Sequence, residues 1–343
     1  MIKKKQNEIL FFTKLFYPHV GGVEKQVMEL SIRLIKLGYK ITIVTEKYSD
    51  RLKNEEENNG IKIIRFLPLK LKFIGLIYIW LWLLKNRKFI EEADVVHAHS
   101  VYVWYWPFRF LYPSKPSFVT FHGWEGTYPI PLRNIIIRKI DAFLADKNIA
   151  ISDYLEKHYK IKADRLMYTS VDLPKIGVNP RKNPTSILYV GRLDLDTGLT
   201  KILEAFSLLK NMKLSIGFCG DGPLRHECEK YGKVYGFVDP KPYYRRSAIC
   251  VSPGVTSVLE AFTYKCLIIT TYNNPVKKDY LLMTPFKNWI IVEKTAGGLA
   301  EKIRFYVNNY NKAAPYIDHS YNWVKTQNWN NAVKTYLNLW HLN

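Results

Sequence analysis

Short apolar runs alternate with longer segments in which apolar residues recur every three or four positions, and the alternation persists along most of the chain. Residues 8–12, 40–46, 61–66, 94–97, 118–121 and 149–151 have the length and the β-branched or aromatic content of buried strands. Between the first two, Val23, Val27, Leu30, Leu34 and Leu37 form a single stripe, which predicts a helix over 23–37 stopped by Gly38. The charged, asparagine-rich stretch 48–60 reads as a surface connection. Strands separated by helices predict βαβ units and a parallel sheet.

The pattern restarts near Leu166. Residues 167–184 hold Pro174, Pro180 and Pro184 with little periodicity, as an interdomain linker does. Strands are then predicted at 186–190, 214–219, 234–238, 248–251 and 267–271, again with helical stretches between them. A last helix near 328–342 carries Trp329, Val333, Tyr336, Leu337 and Trp340 on one face and is suited to pack back toward the first domain. The expected organisation is an α/β domain over 1–166, a linker over 167–185, a second α/β domain over 186–325 and the returning helix over 326–343.

A length of 343 residues suits two cores better than one. At 48% hydrophobic and 24% charged residues the chain is globular, which excludes an intrinsically disordered one. The net charge of +21 calls for an anionic partner, whether a phosphorylated substrate, lipid headgroups or nucleic acid. Four cysteines, none in a close pair, read as buried free thiols of a reducing cytoplasm. The charged residues 1–8 lack the apolar core of a secretion signal.

The longest apolar stretch, 73–84, falls short of the ~20 residues a membrane-spanning helix needs. It carries Phe73, Tyr78, Trp80 and Trp82 and is flanked by Lys70, Lys72, Lys85, Arg87 and Lys88. A helix lying on an anionic membrane, with contact between Leu69 and Lys88, and a core helix of the first domain both fit that pattern.

The candidate chemistry lies just past predicted strands, where open parallel sheets bind their ligands. Gly21-Gly22 joins the first strand to the first helix, where a backbone without side chains and a helix start can receive an anion. His122-Gly123 ends another strand; the imidazole either contacts a sugar hydroxyl, shuttles a proton near neutral pH, or only closes a turn. His97 and His99 share one face of their strand, either as a structural pair or as part of a metal site with no third ligand in evidence. Arg192 after Gly191 offers a fixed planar cation suited to a diphosphate, and Gly220-Asp221-Gly222 gives a turn at the same edge. Glu260 is expected in the first turn of a helix, either as a partner of two ribose hydroxyls or as a stabilising acid.

In order and spacing these segments resemble the retaining glycosyltransferases of family 4, which have the GT-B fold of two Rossmann-like domains facing across a cleft. The matching stretches are 16–24, 93–100, 120–123, 150–152, 170–172, 189–205, 217–224 and 251–261. The resemblance implies catalytic roles for His122, at the transferred sugar, and Arg192, at the donor diphosphate. It implies donor contacts from Gly21, Gly22, Gly191, Gly220, Gly222 and Ser257, with Glu260 on the ribose. Three departures stand out. Thr197 occupies the place of a phosphate-binding lysine, Ser252 that of an acid touching the donor sugar, and Lys265-Cys266 that of a glycine. Lys201 and Lys265 are the nearby cations able to replace the lysine.

The expected function is metal-independent transfer of a sugar, with retention, from a UDP- or GDP-linked nucleotide-sugar to a membrane-associated, polysaccharide or lipid-linked glycan. No further cofactor and no nucleic acid partner are expected, and the setting is the cytoplasm, at the inner face of the membrane. The alternative is a catalytically degenerate protein of the same fold, acting as a glycan-, nucleotide- or membrane-binding scaffold.

Overall fold

The computed structural model describes residues 7–69, 71–175 and 182–342. They form two compact units, one of 7–69, 71–124, 130–167 and 329–342, the other of 125–129, 168–175 and 182–328. The short segment 125–129, counted within the second unit, was not distinguishable in the sequence.

The first unit is built on eight strands: β1 (Glu8–Thr13), β2 (Lys40–Glu46), β3 (Glu55–Asn58), β4 (Ile61–Phe66), β5 (Val95–His99), β6 (Ser117–Phe121), β7 (Lys147–Ala150) and β8 (Arg165–Leu166). Their order is β3-β4-β2-β1-β5-β6-β7-β8. All neighbours pair parallel except β3, which is antiparallel to β4 and occupies part of the expected surface connection. Burial of β5 and β6 along their full length follows from a parallel sheet covered on both faces.

Helix Gly22–Lys36 lays Val27, Leu30 and Leu34 on this sheet and stops where Gly38 adopts φ +94°. The last helix, Trp329–Trp340, belongs to the same unit and joins the same core through Trp329, Val333, Tyr336 and Trp340. Each such side chain contributes on the order of 1.5–3 kcal/mol through burial. Leu337 stays half-buried and Leu339 takes the inward place instead.

The second unit has six parallel strands, β9 (Asn183–Val190), β10 (Ser215–Cys219), β11 (Lys233–Gly236), β12 (Ser247–Val251), β13 (Leu267–Thr271) and β14 (Ile291–Glu293), in the order β11-β10-β9-β12-β13-β14. The predicted linker is cut short, since Pro184 already lies in β9; Pro180 falls outside the described residues. In each sheet the strand order reverses once, between β1 and β5 and between β9 and β12. Those switch points are where doubly wound sheets open a crevice for ligands.

Helix Lys72–Lys85 is neither purely core nor purely surface. Ile79 and Leu83 are buried, whereas Ile74, Ile77, Leu81 and Leu84 are exposed. Tyr78, Trp80 and Trp82 are half-buried and do not form the outer face. Trp80 donates its indole N–H to the Val103 carbonyl at 2.9 Å, and Trp82 packs on Phe66. Among the described residues no helix is long and apolar enough to cross a membrane.

Candidate donor site

Three turns meet at the switch point of the second sheet. Gly191 donates its N–H to the Cys219 carbonyl at 3.1 Å, Leu193 to Asp221 at 3.0 Å, and Leu224 to Leu193 at 2.9 Å, so the turns after β9 and β10 are laced together by backbone. Gly220 has φ +153°, and a Cβ there would drive into the Gly191 carbonyl. The loop after β12 closes on the same place, with Pro253 Cγ 2.8 Å from where a Cβ on Gly191 would stand. Gly191, Gly220 and Gly222 are thus brought together as the sequence predicted, by close backbone approach.

Arg192 stands on this turn with a side chain 61% exposed, its guanidinium 2.5 Å from Asp196 and 3.6 Å from Asp194. Exposed pairs of this kind contribute only about 0–1 kcal/mol, so they do not commit the guanidinium against another anion. Glu260 lies on helix Val255–Thr263, which follows β12, the neighbour of β9. It is the sixth residue of that helix, and so sits in the second turn, not the first. Only Ser252, Pro253 and Gly254 lie between β12 and this helix, so the helix begins five residues before the acid. Half-buried, Glu260 receives a hydrogen bond of 3.4 Å from the hydroxyl of the fully buried Tyr244.

Two of the three departures, Ser252 and Thr197, have structural roles. Ser252 is completely buried, donates to the Val190 carbonyl at 3.2 Å, shares a short hydrogen bond with Ser257, and accepts the Thr270 hydroxyl at its carbonyl. It ties β9, β12 and β13 together. Thr197 donates to the Asp194 carbonyl at 2.6 Å and accepts from the buried Tyr189 hydroxyl at 3.1 Å, closing the Arg192 turn. Neither suggested substitute cation reaches this turn. Lys201 is held by the Tyr272 and Lys294 carbonyls, and Lys265 lies over the Tyr321 ring.

A lysine missed in the sequence does reach it. Lys277, on helix Pro275–Leu282, is buried with its ammonium on the Pro253 carbonyl and 4.7 Å from the Tyr280 ring centre. Burial pulls its pKa down to about 8, against an upward pull from Asp196, with Arg192 lowering it further. The Asn274-Pro275 pair signals the helix start in sequence, since Asn274 caps the Lys277 N–H at 2.9 Å, but nothing there places the ammonium.

In the first unit, Gly21-Gly22 opens helix Gly22–Lys36 at the end of the loop after β1. The Glu24 carboxylate folds back against Gly21 and accepts from, or pairs with, His19 Nδ1 at 2.9 Å. His122 follows β6 and shares a 2.8 Å hydrogen bond with His99 Nδ1. Burial, reinforced by Arg138, brings its pKa down to about 3, so the imidazole is neutral at physiological pH. Of the alternatives open to His122, a neutral imidazole suits a hydrogen-bonding contact or a closed turn better than a proton shuttle near pH 7. His97 is a satisfied core residue between the Trp340 indole N–H at 3.0 Å and Thr120 at 2.7 Å. Burial lowers both His97 and His99 well below the usual histidine range. Among the described residues no group of three or more His, Cys, Asp or Glu is placed to hold a metal ion.

Comparison with known proteins adds the family. Residues 20–168 match the model of Glycosyltransferase Family 4, and residues 175–323 that of Glycosyl transferases group 1. Curated relatives include a subunit of the human phosphatidylinositol N-acetylglucosaminyltransferase, 31% identical over 102 residues, 29% of this chain and 21% of that one. The Saccharomyces cerevisiae GPI3 subunit of the same-named enzyme is 30% identical over 95 residues, 27% of this chain and 21% of its own. These matches span only about a fifth of the relatives' length. Among solved structures, sucrose-phosphate synthase from Thermosynechococcus elongatus superposes with a TM-score of 0.73 at 16% identity, covering 98% of both chains. Anabaena HepE in complex with UDP and glucose gives 0.69 at 13% identity, over 96% of this chain and 99% of its own. Identities this low speak for fold alone. With one family model on each unit and that fold over nearly the whole length, the chain belongs to the glycosyltransferases of GT-B fold.

Proposed function

We propose that the chain transfers a sugar, with retention and without a metal ion, from a UDP- or GDP-linked donor to a lipid-linked or other membrane-associated glycan acceptor. The observation that carries this reading is the convergence of the Gly191, Gly220 and Pro253 turns at a sheet switch point, with Arg192 and Glu260 on adjoining elements. On this reading Glu260 takes the ribose hydroxyls and Arg192 the diphosphate, whose departing charge its guanidinium stabilises. His122 hydrogen-bonds the transferred sugar as a neutral imidazole, and Gly21, Gly22 and Ser257 supply further donor-side contacts. With no side-chain nucleophile assigned, the leaving phosphate accepts the proton of the acceptor hydroxyl, and the new bond forms on the face the donor leaves.

Two observations favour a lipid acceptor. The exposed aliphatic face of helix Lys72–Lys85, beside exposed Lys85, Arg87 and Lys88, suits the surface of an anionic bilayer at its cytoplasmic face. The human and yeast relatives are phosphatidylinositol N-acetylglucosaminyltransferase subunits. A scaffold without catalysis is the second reading, favoured by the structural use of Ser252 and Thr197. Incubation with UDP- and GDP-sugars and a membrane lipid extract separates the two. The enzyme releases nucleoside diphosphate and a labelled product of retained anomeric configuration, whereas a scaffold releases neither.

A further inference from the structure

We propose that Lys277 is the second cation of the diphosphate site, delivered from helix Pro275–Leu282 in place of a lysine at the Thr197 position. The inference rests on the donor site described under the proposed function and adds a residue to it. Its geometry is continuous: the Lys277 ammonium sits on the Pro253 carbonyl, and the Pro253 ring abuts Gly191, the residue before Arg192. Two further contacts hold the helix to that place. Tyr280 accepts the Val255 N–H at its hydroxyl, 3.2 Å away, and Asn273 reaches the Leu195 carbonyl at 3.4 Å.

The chemistry points the same way. An ammonium has three donors, and among the described residues the Pro253 carbonyl is the one acceptor recorded for this one. A buried cation that keeps donors uncommitted is costly unless an anion completes it. The turn itself needs the charge, because Asp194 and Asp196 already offset Arg192. Thr197, spent on the Asp194 carbonyl and Tyr189, supplies none.

The test is the affinity of the full chain for UDP and GDP, with uridine and guanosine as phosphate-free controls, in wild type, Lys277→Met and Lys277→Arg. For the nucleotide the wild type binds, Lys277→Met is expected to weaken affinity by about 10- to 100-fold and Lys277→Arg by less, while nucleoside affinity is unchanged. A folded Lys277→Met that binds the diphosphate like wild type, or loses nucleoside and diphosphate in parallel, overturns the assignment alone. Wild type that binds neither nucleotide overturns the donor site and this residue with it.

Should Lys277→Met fail to fold, wild type carrying 15N-labelled lysine decides the same question. The groups recorded around this ammonium are Asp196 and Arg192 on the turn after β9 and Tyr280 on its own helix. The lysine titrating near pH 8 is expected to shift its midpoint upward on adding the nucleotide, and a midpoint that does not move counts against the proposal.

Discussion

Gly220 shows how little room the site leaves at the scale of one residue. Its added methyl would meet the Gly191 carbonyl, a backbone atom that cannot swing aside. Gly220→Ala should therefore destabilise the protein by about 2 kcal/mol or more, read as a lowered midpoint in thermal or denaturant unfolding. His122 makes a different point. With its pKa down at about 3, its protonation state does not change between pH 5.5 and 8, so the pH–rate profile of sugar transfer should lack a histidine ionisation near 6.5. A limb at that pH that disappears in His122→Asn would contradict the neutral role. Arg192, Thr197 and Ser252 were legible in the sequence because each has a place in a local motif. Lys277 was not, because 24 residues of chain separate it from the carbonyl it binds, and only the packed sheet brings them together.

At the scale of elements, legibility followed hydrophobic content. Strands β2, β4 and β13 lie where their apolar runs predicted, since a strand buried on both faces writes its own boundaries. β3 and β14 were missed for the opposite reason. The first is Glu-Glu-Glu-Asn at a sheet edge, and the second has only three residues. Charge on an edge strand deters pairing with other chains but hides the strand from a hydrophobicity pattern. Helix Lys72–Lys85 fitted two readings because both its faces are apolar, and only burial shows which one is left outside. Its outer residues give a direct prediction. Ile77→Glu with Leu81→Glu should reduce binding to vesicles containing phosphatidylserine by about tenfold or more while leaving the melting temperature within a few degrees of wild type. Unchanged sedimentation with the vesicles would remove this face from the membrane contact.

For the whole molecule, the doubly wound character of both units could be read from strand–helix alternation, while the order of the strands within each sheet came only from the structure. One stability property spans the first unit. His97, His99 and His122 are all held neutral by burial, so as pH falls below about 6.5 the unfolded chain takes up protons that the folded chain refuses. Each costs up to about 1.4 kcal/mol per pH unit in that window. Asp141, raised by burial to about 7, keeps its proton when folded and loses it when unfolded, so it works in the opposite sense and offsets part of the loss. The net expectation is a melting temperature that drops as pH falls from 7 to 5. A melt that is flat or rises over this range would show that the three imidazoles are not neutral.

The central claim is that a nucleoside diphosphate binds at the carboxyl ends of β9 and β12 through Arg192 and Glu260. Thermal shift with UDP and GDP on wild type, Arg192→Ala and Glu260→Gln tests it most directly, because stabilisation follows affinity for the native state. One of the two nucleotides should raise the wild-type midpoint, and both variants, folded alike without ligand, should lose most of that rise. Neither nucleotide stabilising the wild type, or both variants responding as fully as the wild type, would contradict the account.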